Sequence, residues 1–420
     1  MRIAVLWALF GGSAWAQGID IRAFGVTGDG IADDTAALDQ AFRQVSDHSQ
    51  INVPAGLKLR ITGTVTIAGK SGLKVTGLTG GGNAAGPGTG APQVLWAGPR
   101  GGVMLRIDKT DGLVMEGLAL FPRLSCRPEP QTEAGVAIDI DQSSPNPGGI
   151  TTDIILRRIH VSRCGSNTPD FVAVRFSHSS MDNVEHIRVE DSTFYCAGSG
   201  PAGTALHMGH SANAKNYKFA RNSISNCEYG IHTLNGSFEA SGNLFNSNRV
   251  DIFSAGYVDT LNIQGNVTEN SEQFFVGVGI WPVELSNNKI ATVNTPPQRA
   301  MVEVTHAYLI AKGNKFDQSD LFPAFRGAGG AALLSLGNEY PNRTYESTGW
   351  STFEAGVVTL QDKLIDPATN AARPTGIMMS GAEAAVPVPM KGVGLLYYDA
   401  RSKKWKVSED GQPFVDLVRD

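Results

Sequence analysis

The stretch Phe219–Phe245, "FARNSISNCEYGIHTLNGSFEASGNLF", begins and ends with the same short pattern. In "FARNSI" and "ASGNLF", an apolar residue is followed by two spacers, an asparagine, one spacer and a second apolar residue. Weaker copies follow as "IQGNVT", "LSNNKI", "AKGNKF" and "SLGNEY", and "VEDSTF" (Val189–Phe194) is a degenerate upstream copy. The aligned asparagines, at steps of 21, 23, 22, 26 and 24 residues, are Asn222, Asn243, Asn266, Asn288, Asn314 and Asn338. A period in the low twenties, built from short strands and Gly/Asn turns, predicts a solenoid.

Two classes of solenoid fold have a repeat of this length, the leucine-rich repeat and the parallel β-helix. A leucine-rich repeat would show Leu-x-x-Leu-x-Leu before its asparagine, and this chain does not. Short β-branched and aromatic strands between Asn and Gly favour a parallel β-helix, an all-β fold. We expect the repeated asparagine to adopt the left-handed backbone conformation and its amide to hydrogen-bond along the stack. The alternative is a β-sandwich with coincidental spacing.

An amphipathic helix is predicted near the start of the chain, in "DDTAALDQAFRQV" (Asp33–Val45). Asp33, Asp34 and Thr35 are its N-cap and first-turn candidates, and apolar residues follow at helical spacing. An open end of a solenoid exposes its core and unpaired strand edges. We therefore expect this helix to cap the first coil, and assign Asp29 to the preceding turn.

The same region resembles a known family. "IRAFGVTGDGIADDTAALDQAF" followed by "INVPAGLKLRITGTVTI" is similar to the N-terminal signature of the pectate-lyase-like superfamily, with the likeness concentrated in residues 20–70. That superfamily includes rhamnogalacturonase- and epimerase-like enzymes, polygalacturonases and phage tailspikes. The resemblance implies a right-handed parallel β-helix, secreted or at the surface, that acts on polysaccharide. It leaves the reaction open, because lyases, hydrolases, epimerases and binding proteins share this fold.

The first residues, "MRIAVLWALFGGSAWA", have the three parts of a secretory signal peptide. Arg2 supplies the positive charge, an apolar core follows, and Ala14-Trp15-Ala16 fits a cleavage site. An N-terminal strand or anchor is the alternative. We predict a secreted protein, periplasmic or extracellular.

The chain divides into four segments by pattern: a signal peptide (1–16), a β-helix with its N-terminal cap (17–345), an extension or linker (346–390) and a C-terminal β-hairpin module (391–420). The third segment is rich in Thr, Ala and Pro. The fourth shows alternating strands around a turn and is similar to small β-modules that end phage tail and surface proteins.

The composition and charge of the chain argue against some classes of binding partner. Of 420 residues, 41% are hydrophobic and 49 are glycine, with a formal net charge of −5. This charge argues against nucleic acid or an anionic membrane as partner. No segment after the signal peptide approaches the roughly 18 apolar residues of a membrane span. We expect a monomer or a homotrimer.

The four cysteines, Cys126, Cys164, Cys196 and Cys227, include no Cys-x-x-Cys pair, which argues against zinc and thioredoxin-like chemistry. In an oxidising compartment they are expected to form disulfides. Neighbouring coils come within disulfide reach. We predict Cys196–Cys227, and Cys126–Cys164 as the second pair; stacked free thiols are the alternative.

Candidate site residues come from aligning the strand about fifteen residues before each asparagine. Its second position is always aliphatic and belongs inside: Leu105, Ile138, Val174, Leu206, Ile231 and Ile252. Alternation turns the third position outward, which gives one column: Arg106, Asp139, Arg175, His207, His232 and Phe253. The ionisable part of the column spans about 20 Å at about 4.8 Å per coil. Clustered ionisable groups in a groove mark functional sites, although a solvated sheet face is also normally polar.

Two reactions fit the column. A lyase acting on a uronate polymer would hold the substrate carboxylate with Arg106 and Arg175. His207 or His232 would abstract the C5 proton. A hydrolase would instead use paired carboxylates as acid and base.

The carboxylates available for hydrolysis are Asp139 and Asp141, which share one face of a strand, and Asp108 beside them. Phe253 and Trp281 are candidates for stacking on a sugar ring. No cofactor is predicted; the alternative is calcium, for which the three aspartates could supply part of a ligand set.

The intact motifs of a polygalacturonase are missing. Of its Gly-His-Gly element, "MGHS" keeps only Gly209 and His210. We therefore place a polysaccharide lyase slightly ahead of a hydrolase. A non-catalytic glycan-binding or tailspike-like surface protein is the third hypothesis.

Overall fold

The computed structural model describes the greater part of the chain, namely residues 18–78, 90–123, 133–141, 151–163, 170–176, 184–198, 200–209, 216–258, 260–280, 282–291, 299–317, 324–329, 331–340, 351–353, 357–360, 363–365, 372–374, 378–379, 395–399, 404–408, 413 and 415–416. Nearly all of this backbone is β-structure in three long sheets, called sheets A, B and C below.

The three sheets are built by strands that the chain visits in turn. Sheet A contains Ile19–Asp20, Gln50–Val53, Lys74–Gly77, Val114–Glu116, Ile155–Arg157, Arg188–Glu190, Tyr217–Ala220, Phe238–Ser241, Leu261–Gln264, Val283–Ser286, Tyr308–Lys312, Ala332–Leu336, Val357–Leu360 and Met378–Met379. Sheet B contains Asp29–Asp33, Lys58–Ile61, Gln93–Trp96, Ala119–Phe121, His160–Ser162, Thr193–Tyr195, Ser223–Ser225, Leu244–Asn246, Val267–Glu269, Lys289–Ala291, Lys315–Phe316, Glu339–Tyr340, Lys363–Ile365 and Ala372–Pro374. Sheet C contains Val65–Ala68, Val103–Asp108, Val136–Asp141, Val172–Phe176, Thr204–Met208, Tyr229–Thr233, Val250–Val258, Gln273–Ile280, Val302–Thr305, Phe325–Ala328 and Ser351–Phe353.

Stacking of whole coils explains the topology. Each strand pairs in parallel with the strand one coil earlier and one coil later, until Val357–Leu360 and Lys363–Ile365 meet antiparallel partners. The aliphatic second positions of sheet C pair with one another and are buried, for example Ile138 with Val174 and Val174 with Leu206. The predicted parallel β-helix and its inside face are confirmed.

The repeated asparagines form a continuous buried ladder. Asn266 shows the pattern: its backbone N–H and its Nδ2 both donate to Oδ1 of Asn288, at 2.9 and 3.0 Å. Its Nδ2 also donates to the carbonyl of Ala240, in the preceding coil. The same bonds link every step from Asn222 to Asn338. Ser192, in the degenerate copy, continues the ladder by donating its N–H to Asn222.

One expectation about these asparagines was wrong. The left-handed residue of each turn is the one before the ladder asparagine, as at Arg221, Gly242 and Gly265. The ladder asparagines do not have positive φ. They are selected by their side-chain amides, which satisfy buried backbone groups of two neighbouring coils.

The predicted helix is present as Thr35–Gln44, called α1 below, with Leu38, Ala41 and Phe42 buried. It follows a short 3-10 helix, Ile21–Phe24. The two aspartates before α1, Asp33 and Asp34, make different hydrogen bonds. Asp33 accepts from the N–H and hydroxyl of Thr35, at 3.1 and 2.6 Å.

Asp34 differs from its predicted role. It precedes α1 but its side chain makes no capping bond. The carboxylate is buried and accepts instead from the backbone N–H groups of Thr27 and Gly28, at 2.7 and 3.2 Å. Asp29 accepts from the N–H groups of Ile31 and Ala32, which is the predicted turn. The acidic run therefore holds the Gly-Asp-Gly turn as well as the start of α1.

Three smaller features complete the described structure. Thr151–Thr152 pairs with Val184–Glu185 beside the main sheets. Strands at 351–353, 357–360 and 363–365 add a further coil within the segment predicted as an extension. Near the C-terminus, an antiparallel sheet contains Leu395–Asp399, Lys404–Ser408 and Val415–Asp416.

Cys196 and Cys227 form the predicted disulfide, with Cα atoms 4.9 Å apart and 31 residues between them in sequence. Cys126 and Cys164 lie outside the described residues, as does the predicted signal peptide. Within the described chain, α1 is the longest helix, and no helix there has the length and apolar character to cross a membrane.

Candidate functional site on sheet C

Strand register places the predicted column on one line across sheet C. Arg106 pairs with Asp139, and Asp139 pairs with Arg175. The line then passes through the remaining column members by the pairs Arg175–His207, His207–His232 and His232–Phe253. Because the buried aliphatic residues fix the register, the neighbouring outward residues are fixed as well.

The first part of the column is an Arg–Asp–Arg cluster. Arg175 donates from Nε and Nη2 to the two carboxylate oxygens of Asp139, at 2.8 and 2.9 Å. Arg106 approaches the same carboxylate through a single Nη2 contact at 3.5 Å. The Asp139 side chain is 0% exposed, whereas Arg175 is 24% and Arg106 37% exposed. Hydrogen bonding to Asp139, opposed by burial, raises the pKa of Arg175.

This geometry gives the three residues different chemical roles. A carboxylate whose two oxygens accept from one guanidinium is committed to that ion pair and is poorly placed to donate a proton. Asp139 therefore orients Arg175, and Arg175 presents a fixed positive charge beside His207. Arg106 is the more exposed and less tightly held cation of the cluster.

The second part of the column is an aromatic cluster. The rings of His207 and His232 meet edge to face with centroids 4.9 Å apart. His232 also lies 5.0 Å from Phe253 and 4.7 Å from Tyr229, and Tyr229 lies 5.4 Å from Phe253. Burial lowers the pKa of His232 to about 4. At neutral pH, His232 is a neutral imidazole set among aromatic rings.

Tyr229 was missed by the sequence alignment. Strict alternation from Ile231 would turn Tyr229 into the interior with it. At this first residue of the strand the alternation fails, and Tyr229 is half-buried against His232 and Phe253. An aromatic residue at the start of the strand that carries His232 was the available signal.

The remaining predicted residues are less closely tied to the column. Asp141 is buried and pairs in register with Asp108. The charge of Asp141 also helps to raise the pKa of Arg175. Trp281 falls outside the described residues. Beyond Phe253, the line continues through Val276, Glu303 and Arg326.

The acidic residues do not fit a calcium site as they stand. Both oxygens of Asp139 bond to Arg175, which leaves this carboxylate committed to a cation of the protein itself. Within the described ranges, no group of three or more His, Cys, Asp or Glu side chains has the arrangement of a metal site.

Comparison with known proteins places the fold. No family model matches this chain, and no curated protein sequence matches it either. Among solved structures, the mannuronan C-5 epimerase AlgE6 A-module of Azotobacter vinelandii has a TM-score of 0.51 at 13% identity, over 81% of this chain and 99% of that one. The endo-xylogalacturonan hydrolase of Aspergillus tubingensis has a TM-score of 0.50 at 10% identity, over 85% and 98%. The Agl-KA catalytic domain has a TM-score of 0.52 at 12% identity, over 80% and 68%.

At identities of 10–13% this likeness is one of fold. The similar structures are right-handed parallel β-helix proteins. The fold implied by the resemblance to the pectate-lyase-like superfamily is therefore confirmed.

Proposed function

We propose that the protein binds and modifies a polysaccharide along the sheet C column, as a lyase of an acidic, uronate-containing polymer such as pectin. The observation that carries the proposal is the junction of Arg175 and His207, where the fixed cation of the first cluster adjoins the imidazole pair of the second. The similar structures named as an epimerase of mannuronan and a hydrolase of xylogalacturonan support a polysaccharide ligand.

The residues at this junction match the needs of β-elimination. Arg175, oriented by Asp139, neutralises the substrate carboxylate and so acidifies the C5 proton. The imidazole of His207 or His232 accepts that proton, and a C4–C5 double bond forms as the bond from C4 to the leaving oxygen breaks. The leaving oxygen takes a proton from the imidazolium so formed or from solvent water. Arg106 and Phe253 lie at opposite ends of the column, about 24 Å apart at about 4.8 Å per coil, and bind neighbouring sugars.

The hydrolase hypothesis is less well supported. It needs two carboxylates that are free to act as acid and base, and both carboxylate oxygens of Asp139 are bonded to Arg175. A non-catalytic glycan-binding protein is the second candidate, and the same ion pair favours it, because a locked pair stabilises a surface without reacting.

The test is incubation of the purified protein with a panel of uronate polymers. Ultraviolet absorbance of an unsaturated product identifies a lyase, reducing ends without that absorbance identify a hydrolase, and retention without turnover identifies a binder. Arg175→Ala and His207→Ala should each lower turnover at least about 100-fold, the usual contribution of an acid–base group. Glu284→Ala, an exposed residue of sheet A, is the control. Wild-type turnover in both column variants would show that the active site does not lie on this face of sheet C.

We also propose that the protein is secreted, to the periplasm or beyond. The Cys196–Cys227 disulfide supports this, since such bonds persist in oxidising compartments. Expression of the full chain in a bacterial host, followed by N-terminal sequencing, should show cleavage after Ala16. An intact Met1 on the exported or retained protein would contradict the signal peptide.

A further inference from the structure

A second depression lies away from the column, at the corner where the chain enters sheet A. Its volume is about 320 Å³, within the range of small-molecule sites, roughly 300–1,000 Å³. It is lined by Asp153, Ile155, His186, Arg188 and Asn216, which come from three successive coils.

Three of the four polar lining residues, Asp153, His186 and Asn216, occupy one repeated backbone position. In six successive coils the residue two places before the register position of the sheet A strand has a positive φ, and these residues are His48, Gly72, Gly112, Asp153, His186 and Asn216. The second and third of these coils use glycine, which adopts this conformation without cost. The next three use residues with planar polar side chains, at a cost of about 1–2 kcal/mol each for an ordinary L-residue and somewhat less for Asp, Asn and His.

Replacing the glycines in this way brings a carboxylate, an imidazole and an amide side by side. His186 is oriented by its neighbours, since its Nδ1 lies 3.3 Å from the Thr152 hydroxyl and 3.9 Å from Oδ1 of Asp153. The His186 side chain is 47% and the Asp153 side chain 62% exposed, so both reach the solvent.

The chemistry of the lining suits a sugar. The side chains of Asp153, His186 and Asn216 offer acceptors and donors for ring hydroxyls. Arg188 adds further donors, and Ile155, half-buried between them, offers an aliphatic surface to the C–H face of a pyranose. The negative charge of Asp153 and the positive charge of Arg188 nearly cancel. The depression therefore suits hydroxyl groups, whereas the sheet C column presents an arginine to a carboxylate.

We propose that this sheet A depression is a second glycan-binding site, which holds one or two neutral pyranose units of the polysaccharide. It rests on the proposed function in one respect, that the ligand of the protein is a polysaccharide. Two sites on one rigid solenoid would bind a long chain more tightly than either site alone, because the second contact forms at a high effective concentration.

The experiment uses the variant Asp153→Gly/His186→Gly, which restores the residue that two earlier coils have at this position. Because glycine relieves the backbone strain, the variant should keep or raise the melting temperature while losing the side chains of the site. We expect its affinity for long polysaccharide to fall about tenfold or more. Turnover of short uronate oligosaccharides on sheet C should stay at the wild-type level. Lys218→Ala, one coil further along sheet A and outside the depression, should match wild type.

The outcomes separate the two proposals. Unchanged affinity in the glycine variant, while Arg175→Ala abolishes turnover, would overturn the sheet A site and leave the proposed function standing. Loss of polysaccharide affinity in the glycine variant without any turnover by wild type would support the sheet A site and overturn the lyase. Absence of any polysaccharide binding by wild type would overturn both.

Discussion

At the scale of single residues, a ladder asparagine is valuable because one small side chain bonds to four groups of other residues. Oδ1 of Asn288 accepts from the N–H and the Nδ2 of Asn266, and Nδ2 of Asn288 donates to the carbonyl of Ile263 and to Oδ1 of Asn314. All of these groups are buried, so water cannot replace the asparagine.

Two adjacent asparagines allow this to be tested. Asn288→Ala removes the partner of two buried donors and one carbonyl, and should lower the free energy of unfolding by about 3 kcal/mol or more, at about 1–3 kcal/mol for each unsatisfied group. Asn287 is exposed and has φ 55°, the position that is glycine in other coils. Asn287→Gly should therefore be neutral. Urea unfolding of both variants checks the prediction, and equal stabilities would contradict it.

Asp251 is a buried acid inside the coil. Its Oδ1 accepts from the hydroxyl of Ser271 at 2.7 Å and from Nδ2 of Asn248 at 2.9 Å, and its Oδ2 accepts from the hydroxyl of Thr268. Burial, only partly offset by these bonds, raises the pKa of Asp251 from 3.8 to about 7. Between these values the folded chain binds a proton that the unfolded chain releases.

The stability of the protein should therefore depend on pH through Asp251. Since the folded-state pKa is the higher one, the contribution is complete below about pH 4 and is lost as the pH rises toward about 7, at up to about 1.4 kcal/mol per pH unit. Asp251→Asn keeps the shape and removes the titration. Thermal melts of both proteins from pH 5 to 8 should show a difference that changes with pH, and a constant difference would contradict the pKa.

At the scale of elements, α1 contributes an apolar face to the first coils. Leu38 and Phe42 line a small apolar cavity of about 20 Å³ together with Val53, Leu59 and Val65 from sheets A, B and C. A helix whose face meets all three sheets is placed to cover the end of the solenoid, and its role as a cap remains our prediction.

The cap role predicts a local effect of mutation. Phe42→Ala should destabilise the protein by about 3–5 kcal/mol, and the first coils should lose protection against hydrogen exchange before the later ones. Gln40→Ala, on the exposed face of α1, is the matched control. Uniform loss of protection along the chain would show that α1 does not act as an end cap.

The helix was predictable because its apolar spacing and acidic start are local features. The hydrogen-bond partners of Asp34 were not predictable, because Asp34 bonds to Thr27 and Gly28 across a turn whose shape the sequence does not specify. Tyr229 and Asp251, in the first two positions of their strands, show the same limit. Each lies at a corner, where strict alternation gives the wrong face.

At the scale of the whole molecule, the asparagine period predicted the solenoid because coils of similar length, 21 to 26 residues here, repeat their turn at a similar interval. It also predicted the column, since buried aliphatic residues fix the register of every sheet C strand. The contacts within the column were not predictable. Whether Arg175 holds Asp139 or a ligand depends on side-chain conformations that the spacing does not fix.

The disulfide joins two neighbouring coils of this stack. Cys196→Ala/Cys227→Ala removes a link across 31 residues, and a loop of this size should contribute about 3.5–4 kcal/mol to the free energy of unfolding. Urea unfolding under oxidising conditions checks this. A change below about 1 kcal/mol would mean that the stack, rather than the covalent link, determines stability here.

The asparagine ladder also has a direction. Each ladder N–H from Asn222 to Asn314 donates to the coil that follows it, and the final Nδ2, on Asn338, turns back to Ser335 of its own coil. The ribosome synthesises the chain in the same direction. The ladder N–H of each newly made coil therefore has no acceptor until the next coil has been made. During synthesis, the C-terminal end of the solenoid is thus the end with an unpaired ladder N–H. A chain that terminated before Asn338 would keep that donor unpaired.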